Sequence, residues 1–213
     1  MNHIFEVLFG QYSTYSTTDI VLEIVAVFFG FLSVWFSKQN KILVFPTGMI
    51  STAIFVYLLI KWELLGDMMI NAYYFIMSVY GWYIWTRKVD ETHVTPISRT
   101  TFKEKRISVL IFIATLLFVF VIYKSFDKWT SWVAYVDTIT TAIFFVGMWL
   151  MARRKLENWI FWIIGDIISV PLYFYKGFTF TSLQYFGFTF IAIFGYLAWK
   201  KRLNKSVALT QSV

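Results

Sequence analysis

Residues 65–86 read Leu65-Gly-Asp-Met-Met-Ile-Asn71-Ala-Tyr-Tyr-Phe75-Ile-Met-Ser78-Val-Tyr-Gly81-Trp82-Tyr-Ile-Trp85-Thr86, and Arg87-Lys88 follow. The run is long enough to cross a bilayer as a helix, which takes about 20 residues. It ends in tryptophan and then base, the usual order at a membrane–water boundary. The same ending returns late in the chain, where Gly195-Tyr-Leu-Ala-Trp199 precedes Lys200-Lys201. Further apolar runs stand at 20–37, 42–60, 107–123, 130–151, 158–175 and 179–199. Each satisfies its backbone internally only as a helix. The expectation is an all-α polytopic membrane protein with seven transmembrane helices.

Composition agrees. The 213 residues are 59% hydrophobic, 22% aromatic and 15% charged, with a mean hydropathy of +0.65. Soluble domains average about 25% charged residues, so lipid, rather than water, is the solvent this chain is built for. There is no cysteine, which excludes disulfides, thiolate metal sites and cysteine nucleophiles. His3 falls in the N-terminal tail and His93 in a polar loop, so no metal site is expected. No phosphate-binding glycine loop or nucleophile motif is present, which argues against an enzyme and against any cofactor. The first fifteen residues lack a basic start and a compact apolar run, so no cleavable signal peptide is expected. The net charge of +7 reads as topology rather than nucleic-acid binding. Lys61, Lys124, Lys128 and Lys176 fall on one side and the other fifteen of the 19 Lys and Arg on the opposite side. The richer side is expected to be cytoplasmic, with the N-terminus outside and the C-terminus inside.

Gly81 and Trp85 are matched by Gly195 and Trp199. Asn40 and Gly48 in the second run have partners in Asn158 and Gly165 of the sixth, and Pro46 and Pro171 lie in the same two runs. Three helices are an odd number, so a direct second copy would be inverted; one extra helix restores its orientation. The expected plan is a 3+1+3 parallel repeat. It comprises an outside tail at 1–19, a first repeat at 20–86, a cytoplasmic loop and linker helix at 87–129, a second repeat at 130–200 and a cytoplasmic tail at 201–213. Carriers built from such repeats hold their ligand between them near the midplane.

Polar groups within spans are costly, so their grouping points to function. Asn158, Trp162, Asp166, Ser169 and Tyr173 fall on one stripe of the sixth helix at helical spacing. Similar stripes are Asn40, Thr47, Ser51 and Phe55; Asn71, Phe75, Ser78 and Trp82; and Gln184, Phe188, Gly195 and Trp199. Rings for stacking beside amides and hydroxyls for orientation make a pocket for a flat polar ligand. The expected lining is Ser51, Asn71, Asn158, Trp162, Asp166 and Gln184. Asp166 is the deepest carboxylate. Asp137 and Glu23 lie nearer an end, and Thr47, Ser78 and Ser169 read as packing or back-bonded hydroxyls.

The segment Asn71 to Trp85 resembles the third-helix signature of the PnuC family of nicotinamide riboside transporters. Leu156-Glu-Asn-Trp-Ile-Phe-Trp-Ile-Ile-Gly-Asp-Ile-Ile-Ser-Val170 resembles its sixth-helix signature, and Thr181-Ser-Leu-Gln-Tyr185 with Phe190 to Gly195 its seventh. The resemblance covers residues 20–202. It implies a SWEET-like fold, a homotrimer in the cell inner membrane, and uptake of nicotinamide riboside for NAD synthesis. It further implies facilitated diffusion, the substrate being trapped by a cytoplasmic nicotinamide riboside kinase. In this reading Trp162 stacks on the ring, Asn71 and Gln184 meet carboxamide or ribose, and Asp166 accepts from ribose hydroxyls. A thiamine-transporting branch shares much of the pattern, which makes thiamine or a related vitamin the alternative ligand.

Overall fold

The structure, a computed structural model, describes residues 16–62, 65–87, 95–127, 129, 131–175 and 179–211. The N-terminal tail with His3, the loop with Lys88 and His93, and Lys128 and Lys176 lie outside the described residues. All regular elements among the described residues are helices: α1 Thr17–Lys38, α2 Val44–Lys61, α3 Leu65–Thr86, α4 Phe102–Ser125, α5 Trp132–Ala152, α6 Asn158–Tyr175 and α7 Thr179–Gln211. Local signals account for two of the starts. The Ser16 hydroxyl caps α1 by accepting from the Asp19 amide at 3.2 Å. Thr101 and Glu104 form a reciprocal capping box on α4.

Among the described residues, six helices are long and apolar enough to cross a membrane. The exception, α3, has the length, 22 residues, but its Asp67, Asn71, tyrosines and tryptophans lower its hydropathy. α1 begins at Thr17, within the expected tail, and the fourth helix starts at Phe102 rather than 107. The expected tail at 201–213 is helical to Gln211, because Lys200, Lys201, Arg202 and Lys205 are good helix formers and continue α7 beyond its apolar part.

The helices pack as a closed ring, α1 on α2, α2 on α3, α3 on α5, α5 on α6, α6 on α7 and α7 back on α1. α4 stands outside the ring against α5. The ring looks the same if α1, α2 and α3 are exchanged with α5, α6 and α7. Local geometry recurs with a spacing of 114 residues. The α1–α2 turn has Asn40 in the left-handed region at φ 60°, and the α5–α6 turn has Arg154 there at φ 58°. Amides of Gln39, Asn40 and Lys41 bond the carbonyls of Trp35, Ser37 and Phe36 at 3.2, 2.9 and 3.0 Å. Those of Arg153, Arg154 and Lys155 bond Trp149, Met151 and Leu150 at 3.1, 2.9 and 2.9 Å. This register pairs Asn40 with Arg154 and Gly48 with Trp162, so the sequence pairings of Asn40 with Asn158 and Gly48 with Gly165 are displaced by about a helical turn.

At the basic end the ring is filled. A Cβ on Gly81 would lie 2.2 Å from the Phe45 ring, and one on Gly195 would lie 2.5 Å from the Trp159 ring. Only glycine lets α3 and α7 approach those rings. Trp85 meets Phe45 edge-on at 5.0 Å, Trp199 meets Trp159 edge-on at 5.6 Å, and the two tryptophans lie 5.7 Å apart.

Candidate functional site

Above this aromatic floor lies a cavity of about 630 Å³, within the range of small-molecule sites. Every helix contributes to its wall, α4 through Tyr123. At its middle stands an aromatic box. Phe144 of α5 lies 5.5 Å from Trp162 of α6, Tyr74 of α3 lies 6.4 Å from Trp162, and Tyr185 of α7 stacks on Phe144 at 5.9 Å with planes 11° apart. Four carboxylates line the same cavity: Asp166 at box level, with Glu23, Asp67 and Asp137 toward the end opposite the basic one. Among the described lining residues there is no Lys, Arg or His. An aromatic box combined with carboxylates is the chemistry that holds a flat cation.

Five of the six residues expected from sequence reach this wall: Ser51, Asn71, Trp162, Asp166 and Gln184. The Ser51 hydroxyl donates to the Ala26 carbonyl at 2.7 Å, tying α2 to α1, and the Asn71 amide donates to the Asp67 carbonyl at 3.0 Å. Asp166 is 3% exposed, and no described side chain donates to it. Asn158 is not on the wall. It is the first residue of α6, 0% exposed, with its amide bonded to the Lys155 carbonyl; it holds the turn below the floor. On α3 the wall is Asp67, Asn71, Tyr74 and Ser78, whereas Phe75 and Trp82 are exposed on the outer surface. Tyr74, Phe144 and Tyr185 go beyond the expected set; Phe144 follows Asp137, Thr140 and Thr141 at helical spacing on the same wall, and that polar stripe of α5 is the signal that points to it.

The floor is held by bonds between the two sides of the ring. The Trp85 indole donates to the Met151 carbonyl at 3.2 Å, and the Trp199 indole to the Ser37 carbonyl at 2.9 Å. Two more bonds join residues 114 apart, Ser37 to the Met151 sulfur at 3.4 Å and Arg154 Nε to Asn40 at 3.0 Å. The Arg154 guanidinium also donates to the Thr95 carbonyl and lies 4.5 Å from the centre of the Trp85 ring. Burial, with Arg202 nearby, lowers its pKa to about 10, so it stays charged at neutral pH. Around it, Ser98 pairs with Lys155 in an isolated bridge, and the Glu104 carboxylate takes Arg153 and Lys155, each at 3.0 Å. The start of α4 is thereby tied to the turn that carries Arg154.

A family model described as nicotinamide mononucleotide transporter matches residues 20–201. The chain belongs to this family. Membership, with the apolar helices, makes it a multi-pass membrane protein. Among relatives in the family, the nicotinamide riboside transporter PnuC of Escherichia coli (strain K12) is 25% identical over 205 residues, 84% of each chain. The riboflavin/roseoflavin transporter RibM of Streptomyces davaonensis is 26% identical over 136 residues, 61% of each chain. The crystal structure of the vitamin B3 transporter PnuC matches with a TM-score of 0.65 and 24% identity, covering 95% of this chain and 88% of that one, and shares the fold. These relatives are transporters, not enzymes.

Proposed function

We propose that the chain carries nicotinamide riboside across the cell inner membrane by facilitated diffusion. The observation that carries this reading is the aromatic box with four carboxylates in one cavity. The pyridinium of the riboside is a flat permanent cation that a box and carboxylates both favour. The mononucleotide in the family's description adds a phosphate, which those carboxylates repel. Riboflavin is neutral, so its ring gains no charge attraction from them. Thiamine is a flat cation too and remains the alternative ligand.

In this assignment Trp162 stacks on the pyridinium, Asn71 and Gln184 meet the carboxamide or ribose, and Asp166 accepts from ribose hydroxyls. Ser51 shapes the wall while its own proton stays on Ala26. The 114-residue recurrence of turns and helix contacts supports two parallel three-helix units joined by α4. The basic residues gathered at one end support a cytoplasmic floor, with the N-terminus outside. A homotrimer and trapping by a cytoplasmic kinase come from the family resemblance.

Purified protein in liposomes tests the reading, with the membrane potential clamped to zero because the substrate is charged. Nicotinamide riboside should equalise across the membrane whatever the proton or sodium gradient, and the mononucleotide should not enter. Accumulation above equality would refute facilitated diffusion, and entry of thiamine without riboside would refute the substrate.

A further inference from the structure

Hydroxyls inside these helices are almost all accounted for. Thr47, Thr52, Ser78, Thr115, Thr138 and Thr141 each donate to a carbonyl one turn earlier at 2.6–2.8 Å. Ser51 and Ser182 reach the backbone of a neighbouring helix at 2.7 and 2.8 Å. Ser169 differs. It is 0% exposed, its Oγ has no hydrogen-bond partner among the described residues, and it stands on the cavity wall. A buried hydroxyl left unpaired costs more than a made hydrogen bond returns. Its neighbour one turn earlier on the same face of α6 is Asp166, also on the wall.

We propose that Ser169 is a specificity-determining contact of the cavity, its hydroxyl hydrogen-bonding a hydroxyl of the bound ligand beside the Asp166 carboxylate. The inference rests on the nucleoside reading above and deepens it by orienting the ligand. Trp162 and Ser169 are two turns apart on α6, about 10 Å along its axis, which is the span of a small nucleoside. The ring then lies on Trp162, toward the aromatic floor, and the sugar lies toward the opposite end of the bundle, between Asp166 and Ser169. A carboxyl group next to a hydroxyl that both donates and accepts matches the vicinal hydroxyls of a ribose. The opposite wall offers no such pair, because the residues matched to Asp166 and Ser169 by the 114-residue register are Thr52, whose proton is held by Gly48, and Phe55.

The test is calorimetric binding to the purified full chain. Nicotinamide riboside and its 2′-deoxy and 3′-deoxy analogues are titrated into wild type and Ser169→Ala, with thermal unfolding as the check on folding. Ser169→Ala should weaken riboside binding about five- to tenfold. One deoxy analogue should bind wild type more weakly by a similar factor, and it should lose nothing further on Ser169→Ala. If Ser169→Ala folds poorly, Ser169→Cys, close in size and a weak hydrogen-bonder, takes its place. Unchanged riboside affinity, or an equal loss for the riboside and both analogues, overturns the inference while leaving the transport reading standing. Wild-type protein that binds no riboside overturns both.

Discussion

Opening of the basic end should be controlled by two indole hydrogen bonds. Trp85 Nε1 donates to Met151 at 3.2 Å and Trp199 Nε1 to Ser37 at 2.9 Å, each buried and each crossing between the two sides of the ring. Any movement that joins the cavity to the basic side separates these pairs. Trp85→Phe and Trp199→Phe keep a ring against Phe45 and Trp159 and delete the donor together with part of the buried indole. A hydrogen bond of this kind contributes about 1 kcal/mol net, so each change should favour the open state about fivefold. Together, at about 2 kcal/mol, they should favour it about thirtyfold. The chain has no cysteine, so Val34→Cys on the cavity wall gives a single reporter. Its labelling by an impermeant thiol reagent, supplied to the basic side of oriented vesicles, should quicken by those factors. Unchanged labelling in the double variant, with unfolding temperatures preserved, would show that the floor is not the barrier.

Gly81→Ala and Gly195→Ala place a methyl within 2.6 Å of a buried ring, so each should destabilise the protein by about 1–3 kcal/mol, read as a lower unfolding temperature in detergent. Asn158→Ala should cost about 1 kcal/mol of stability by deleting the side-chain bond to the Lys155 carbonyl, yet leave riboside affinity unchanged by calorimetry, because the residue lies below the floor. Trp162→Ala should weaken riboside binding by about 1–3 kcal/mol if stacking on nucleic-acid bases is a fair guide; unchanged affinity would remove Trp162 from the site.

The sequence located the helices well because each apolar run is closed by charge or tryptophan; α3 and α6 even keep their boundaries. The matching of Gly81 and Trp85 to Gly195 and Trp199 is legible in the sequence, since those residues meet equivalent ring neighbours with the same side chains. It was misaligned at the turns because matching was by residue type. Asn40 and Arg154 share a left-handed backbone and no side-chain chemistry, so their equivalence is legible only in three dimensions. The site was readable on α6, where Trp162 and Asp166 stand out against an apolar background. On α3 aromatic residues cover most of the helix, and choosing Phe75 and Trp82 in place of Tyr74 turned the face by about 40°. Gly30 of α1 has no local mark, and only closure of the ring turns it inward, whereas Phe144 of α5 follows Asp137 and Thr141 at helical spacing.

On this reading the cavity selects a flat cation bearing hydroxyls and rejects its phosphorylated form. Equilibrium competition on the purified chain tests this most directly: labelled nicotinamide riboside is bound, then challenged with unlabelled riboside, the mononucleotide, thiamine and riboflavin. Riboside should displace at the lowest concentration and the mononucleotide not at all over the same range, the four carboxylates opposing its phosphate. Displacement by the mononucleotide at or below the concentration needed for riboside would contradict it.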